Sequence, residues 1–543
     1  MPVTVFTAGQ IETLDPAVGR VGALAVEDGR VVAHGERAEA MKGGAEVVDL
    51  GPFAMPGLID VHNHHAVAGQ IDLFEFQTAP TASLDEILAA LGRYIEGSGE
   101  SGWIIGGSWG SGLHEQLQAP GVRERFDEVT AGRPLMLRDD SKHNRFANSE
   151  ALRRAGIDAS TPNPPGGEIL RTAGEPNGVL LEAGGLMVER AFQREEPRWA
   201  ERLTESSERA IGMLHSYGIT AFQDAAASAQ LMRALKHLDD EGRLHAWVVT
   251  SMLANDFIFG VQPLGEAIIA EREGTASRHH RPDFIKIFLD GVPPSRTGAF
   301  LEPYLPDPCG HTTRGEPSMT QEELTEWMRT TARRGIGAKI HCTGDASVHM
   351  VLDAAEALCA EGYRGARWQI AHGQFVAAGD VPRFARTGVV ADISPALWFP
   401  GVIPEAIATV LPAERATRMQ PNRSLLDAGA TIAGGSDWPV STTPEVFSAV
   451  YGLVTRRDPS GAFPGTLWPE QAITRDEALR AYTVAAARAI GVDDVAGDLG
   501  LGKSADLVSL PVDPWSADLE RLTDLPVDST WFAGRLVHER SAS

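Results

Sequence analysis

The sequence predicts an α/β fold: a (β/α)8 barrel carrying a large insertion, with a strand-rich segment at each end of the chain. Three observations predict it. Through the middle of the chain, short apolar runs alternate with longer helical patterns, the signature of βα units. Both ends break instead into brief alternating runs punctuated by glycine. Several of the central apolar runs close on a histidine or an acid, which is where a barrel of this kind gathers its chemistry. A chain of 543 residues, 43% hydrophobic and 22% charged, has the material for one large decorated barrel and no disordered or fibrous bias.

From the beginning, residues 1–55 read as VTVFTAG, ALAVEDGRVVAHG and EVVDLG, with Asp28-Gly29 between alternating runs as a hairpin signal. The end, 498–543, reads alike: ADLVSLPV, then STWFAGRLVHE with Gly534 at a turn. Two strand-rich ends of one chain can pair into a single small sheet domain, a pairing the pattern alone leaves open, with 56–497 as the barrel. Eight strands are expected in series: 57–62, 219–225, 246–253, 284–291, 338–344, 368–374, 389–396 and 431–437. Helices at 324–335 and 346–362 separate later strands; the second carries Val348, Val351, Leu352, Ala355 and Leu358 near helical spacing and stops at Gly362. The first and second strands lie about 150 residues apart, too far for a loop, so 66–215 reads as an inserted subdomain over the mouth of the barrel.

His62-Asn63-His64 ends the first strand. Residues two apart in a strand point the same way, so both imidazoles face one point, a usual beginning for a transition-metal site. His65 then points elsewhere. A single HxH pair is a weak signal; its recurrence is not. His341 closes the fifth strand, His372 the sixth and Asp437 the eighth, with Lys286 inside the fourth. Asp290 follows Lys286 by four residues on the same strand face, placed to touch substrate or orient the lysine, or simply to begin a turn before Gly291. His143 in the insertion, Trp109 in GGSWG and Trp398 after the seventh strand are candidates to line the pocket.

PGLIDVHNHH (56–65) resembles the metal-binding signature of the amidohydrolase superfamily. HNRFANSEAL, GITAFQDA, IKIFLDGVPPSRTGAF, IHCTGDASV, QIAHGQ, GGSDWPV and LGKSADLVSL follow in order along nearly the whole chain. Together they are similar to the amidohydrolase 3 subgroup, of the YtcJ-like or N-substituted formamide deformylase type. The resemblance implies that the two ends form a small β-sandwich. It also implies that His62 and His64 hold a buried metal with Asp437, and that His341 and His372 hold a second. Lys286 is implied to be carboxylated and to bridge the two, an anionic carbamate being a far better ligand than an ammonium. Zinc is the expected metal, since hydrolysis needs no redox chemistry. Asp437 is expected to take a proton from the attacking water and return it to the leaving amine. One departure stands out: the subgroup often has aspartate and glycine before the histidine matching His143, where this chain has Ser141 and Lys142.

The expected reaction is hydrolysis of a non-peptide C–N bond in an amide, formamide, carbamate or cyclic amide. A mononuclear aminohydrolase (deaminase) on the same barrel is the alternative. It is disfavoured because Cys342-Thr343-Gly344-Asp345 offers no early glutamate after His341 and because Lys286 is present. A non-catalytic scaffold would have lost ligands, and every expected position is filled. A net charge of −25 argues against nucleic acid and anionic membrane as partners, leaving a small-molecule substrate. Three scattered cysteines, no apolar span and no leader-like start point to a cytoplasmic protein. The resemblance further implies a homodimer.

Overall fold

The computed structural model describes residues 3–98, 102–307 and 309–541. The remaining residues, 99–101 of the predicted insertion among them, lie outside the described residues. Eight parallel strands run in chain order around a barrel: β1 Leu58–Asn63, β2 Ile219–Ala227, β3 Trp247–Leu253, β4 His280–Phe288, β5 Gly337–Cys342, β6 Trp368–His372, β7 Val390–Ile393 and β8 Ile432–Gly434. Each falls on a predicted apolar run. The seam between β8 and β1 is closed by the loop after β8: Asp437 N–H donates to His62 O at 2.7 Å, and His64 N–H donates to Trp438 O at 2.7 Å.

Strand alternation divides the side chains. Outward residues such as Ile285, Ile287, Ile340 and Ile370 join Leu324, Met328, Val351 and Leu352 of the surrounding helices in the main apolar core. Inward residues are polar to an unusual degree, with Asp60, Lys339, Gln369 and Asp392 all buried. The predicted helices are Gln321–Arg334, opened by a Thr320/Glu323 capping box, and Asp345–Ala360. No helix among the described residues is long and apolar enough to cross a membrane.

The chain ends share one eight-stranded sheet, in which Leu507–Leu510 pairs with Phe53–Pro56. Its edge strand Arg30–His34 folds back to bridge Ser504. Asp28 and Gly29, both at positive φ (50° and 76°), make the predicted two-residue turn, a conformation that favours glycine. The long segment between β1 and β2 begins and ends in helices α1 (His65–Phe74) and α2 (Trp199–Ser216). They pack so closely that a Cβ on Gly69 would meet Ser206 O at 1.9 Å. Between them lies a separate five-stranded sheet spanning residues 104–182.

Candidate metal centre at the barrel mouth

His62 and His64 converge as the HxH spacing predicts. Their Nε2 atoms each lie 3.4 Å from Asp437 Oδ1. The ligand atoms of this trio lie within 4.8 Å of one another, and it is the one such group of histidine, cysteine and acid side chains among the described residues. Asp437 is delivered by the loop that closes the barrel, in a left-handed conformation (φ 55°) rare for a residue with a side chain. His372 (φ 68°), Lys142 (φ 64°) and Glu182 (φ 47°) also have positive φ. At His372 the turn has a visible effect. Alternation would put it on the outward side with Ile370, yet its ring centroid lies 4.6 Å from that of His62 and 4.8 Å from that of His341.

The tautomer of His62 is set from behind. Its Nδ1–H donates to Asp392 Oδ2 at 2.7 Å, and the same oxygen accepts from the Lys339 ammonium. The Nε2 lone pair is thereby turned toward Asp437; this atom and His64 Nδ1 are buried without a hydrogen-bond partner. Burial, reinforced by the charges of Lys339 and Lys286, pushes His62 well below its ordinary pKa, so it is a neutral imidazole. Burial opposes the charge on Asp437, but hydrogen bonding from His64 and the electrostatic pull of the surrounding ring nitrogens and Lys286 outweigh it and hold its carboxyl below the ordinary value. Two imidazoles and one carboxylate converging on one point, with His62 Nε2 buried and without a hydrogen-bond partner, are a donor set that fits a divalent transition metal.

His341 and His372 stand beside this trio. His372 Nδ1 lies 3.2 Å from Ser394 Oγ and 4.0 Å from Asp437 Oδ2. Burial lowers the pKa of both rings. Lys286 is buried on β4 with Nζ 4.7 Å from the Phe288 ring centroid; burial, then Lys339, lowers its pKa to about 8. His64, Lys286, His341, His372 and Asp437 line one cavity of about 740 Å³, and Ser111, Ser141, Lys142 and His143 bring the insertion to its wall. His143 Nδ1–H donates to Glu182 Oε2 at 2.7 Å. Burial works against its charge, but Glu182 prevails and raises its pKa.

Three expected pocket contacts are corrected by the structure. Asp290 turns toward His341, whose Nδ1 lies 3.1 Å from Oδ1, and not toward Lys286. Its oxygens also accept from the backbone of Ala299, Thr343 and Gly344 and from Ser347 Oγ, so its capacity is spent on positioning. Trp109 is buried in the insertion's own core, away from the cavity. Trp398 lies beneath the Arg456 guanidinium, 3.9 Å from its ring centroid, while its neighbour Leu397 reaches the cavity. Four residues were not anticipated: Asp392, Lys339, Glu182 and the cavity-lining Lys142. A charged residue at an inward position of an otherwise apolar strand, as in VVADI and AKIH, was the available signal for the first two.

A parallel barrel whose strand ends hold converging imidazoles and an ionised carboxylate defines the class: a barrel hydrolase. The chain belongs to the amidohydrolase family, whose model matches residues 46–538. It is 30% identical over 549 residues to N-substituted formamide deformylase of Arthrobacter pascens, covering 98% of each chain. It is 25% identical to the Bacillus subtilis (strain 168) protein YtcJ, covering 99% of each. Among solved structures, an uncharacterized metal-dependent hydrolase from Pyrococcus horikoshii OT3 matches with a TM-score of 0.74 at 22% identity, covering 95% of this chain and 99% of that one, a likeness of fold.

Proposed function

We propose that the protein hydrolyses a non-peptide C–N bond of a small molecule, in an amide, formamide, carbamate or cyclic amide. The observation that carries this reading is the convergence of His62 Nε2, His64 Nε2 and ionised Asp437 on one point at the cavity floor. The relative that is an N-substituted formamide deformylase supports the choice of bond. His62, His64 and Asp437 would hold one metal, zinc by preference, and His341 and His372 a second, with carboxylated Lys286 between them. Metal in this position supplies Lewis acidity toward the carbonyl and makes water a nucleophile near neutral pH.

The chain's own groups do the rest. Asp437, ionised, accepts a proton from the attacking water at Oδ2, the oxygen further from His62 and His64, and returns it to the leaving nitrogen. His143, its pKa raised by Glu182, faces the cavity as a cation and donates to the carbonyl oxygen. Lys286 has no carboxylate within ion-pair reach among the described residues. Its lowered pKa favours the neutral amine that carbon dioxide requires to form a carbamate.

Elemental analysis of protein purified without chelator tests this, alongside Lys286→Ala. About two metals per chain, falling toward one in the variant, is the expected result. One metal in both would favour a mononuclear deaminase. No metal after incubation with zinc or manganese would overturn the mechanism.

A further inference from the structure

The catalytic cavity has a neighbour. A second cavity lies behind Ile258 and Phe259, and its exposed wall is largely apolar: Val67, Trp199, Leu203, Leu231, Leu253 and Val261. His64, Val67, Lys142, Ile258 and Phe259 line both spaces, so Lys142 stands at the junction. It is 8% exposed, and its Nζ makes one hydrogen bond among the described residues, to Ser108 Oγ at 2.6 Å. An ammonium has three donors.

No carboxylate among the described residues pairs with it directly. Glu75, Asp139 and Asp140 act on it only at longer range. Glu75 Oε1 is taken by Arg138 and Gln70, Asp139 by Ser141 and Asn144, and Asp140 by Ser111. The other cations of the second chamber, Arg138 and Arg145, are bound to Glu189. Burial lowers the pKa of Lys142 to about 8, a cost that an anion at the junction would relieve. At φ 64° Lys142 sits where glycine would be without strain.

We propose that Lys142 is a specificity-determining residue that receives a carboxylate carried by the substrate, with an apolar group on the same half of the molecule filling the chamber behind Phe259. This rests on the hydrolase reading of the site and narrows it: the preferred amide bears a carboxylate and a hydrophobic group on one side of the scissile bond.

The test separates recognition from turnover. Binding of 3-phenylpropanoate and of 3-phenylpropan-1-ol to the enzyme as purified is measured by calorimetry, for wild type, Lys142→Gly and Lys142→Arg. Glycine relieves the backbone strain and arginine keeps the charge, and a thermal melt of each variant confirms that it is folded before binding is read. Wild type should bind the acid at least tenfold more tightly than the alcohol. Lys142→Gly should lose that preference and Lys142→Arg should keep part of it. An acid preference that survives in Lys142→Gly overturns the assignment, whatever the turnover. Hydrolysis of N-formylphenylalanine is then compared with that of N-formyl-2-phenylethylamine, with at least a tenfold advantage in kcat/KM expected for the former. If neither is hydrolysed while acid binding still depends on Lys142, the amide reading falls and the recognition role stands.

Discussion

Two histidines at this site make the same bond and end in opposite states. His62 and His143 each donate Nδ1–H to a buried carboxylate at 2.7 Å, Asp392 in one case and Glu182 in the other. Yet His62 is driven well below its ordinary pKa and His143 above it. The difference is what else the carboxylate holds. Asp392 also receives the Lys339 ammonium, so its charge is already answered and burial decides the fate of His62. Glu182 accepts a hydrogen bond from the Thr297 hydroxyl and, among the described residues, no second cation, so its charge is spent on His143. The barrel floor thus favours the neutral form of its ring, the form a metal ligand takes, and the insertion wall favours the charged form of its own.

Breaking the compensation on the floor has the largest expected effect. Lys339→Met leaves Asp392 buried and unanswered, and should cost about 3–5 kcal/mol in urea unfolding. Adding Asp392→Asn should recover much of that loss, since a neutral pair needs no compensation. An unchanged urea midpoint in the single variant would refute the contrast at its base. Asp392→Asn alone, judged by metal titration, should weaken metal affinity or activity by about 10- to 100-fold, because the ring of His62 loses the group that orients it.

On the wall, Glu182→Gln should bring the His143 pKa down to its ordinary value or below, as read by NMR titration of the ring in metal-free protein. The sign follows from linkage. Because His143 is raised above its ordinary 6.5, its contribution is full below that pH and is lost as pH rises through the folded value. Glu182, held below its ordinary 4.5 against the effect of burial by His143 and Thr297, contributes above that pH and is lost as pH falls through its own folded value. The thermal midpoints of wild type and variant should therefore differ most between pH 4.5 and 6.5. A gap that does not vary with pH would mean that Glu182 acts on something other than charge. The smallest effects belong to Trp109→Phe and Trp398→Phe, whose rings pack away from the cavity: kcat/KM within about twofold of wild type, with any loss appearing as stability.

Much of this was legible in the sequence, for a physical reason. Barrel strands advertise themselves by apolar runs, and a histidine or acid that ends such a run has few places to go but the mouth. His62, His64, His341 and Asp437 were readable on that basis. His372 was readable in position but not in orientation, because alternation points it outward and only a left-handed turn reverses it. Asp290 shows the limit of reading faces. Sharing a strand face with Lys286 said nothing of the loop after His341, distant in sequence, that claims its oxygens. The tryptophans failed similarly, since a large aromatic fills a core as readily as a pocket. Glu182 and Lys142 come from a separate sheet whose docking onto the barrel no local pattern encodes.

The seam of the barrel has a consequence for the site. The hydrogen bonds that join the loop after β8 to the end of β1 run between Asp437, Trp438, His62 and His64 themselves. The last strand therefore cannot dock without delivering the acid, and the acid cannot arrive without the last strand. Closure of the barrel and placement of the acid are thus one structural event, held by one pair of backbone hydrogen bonds.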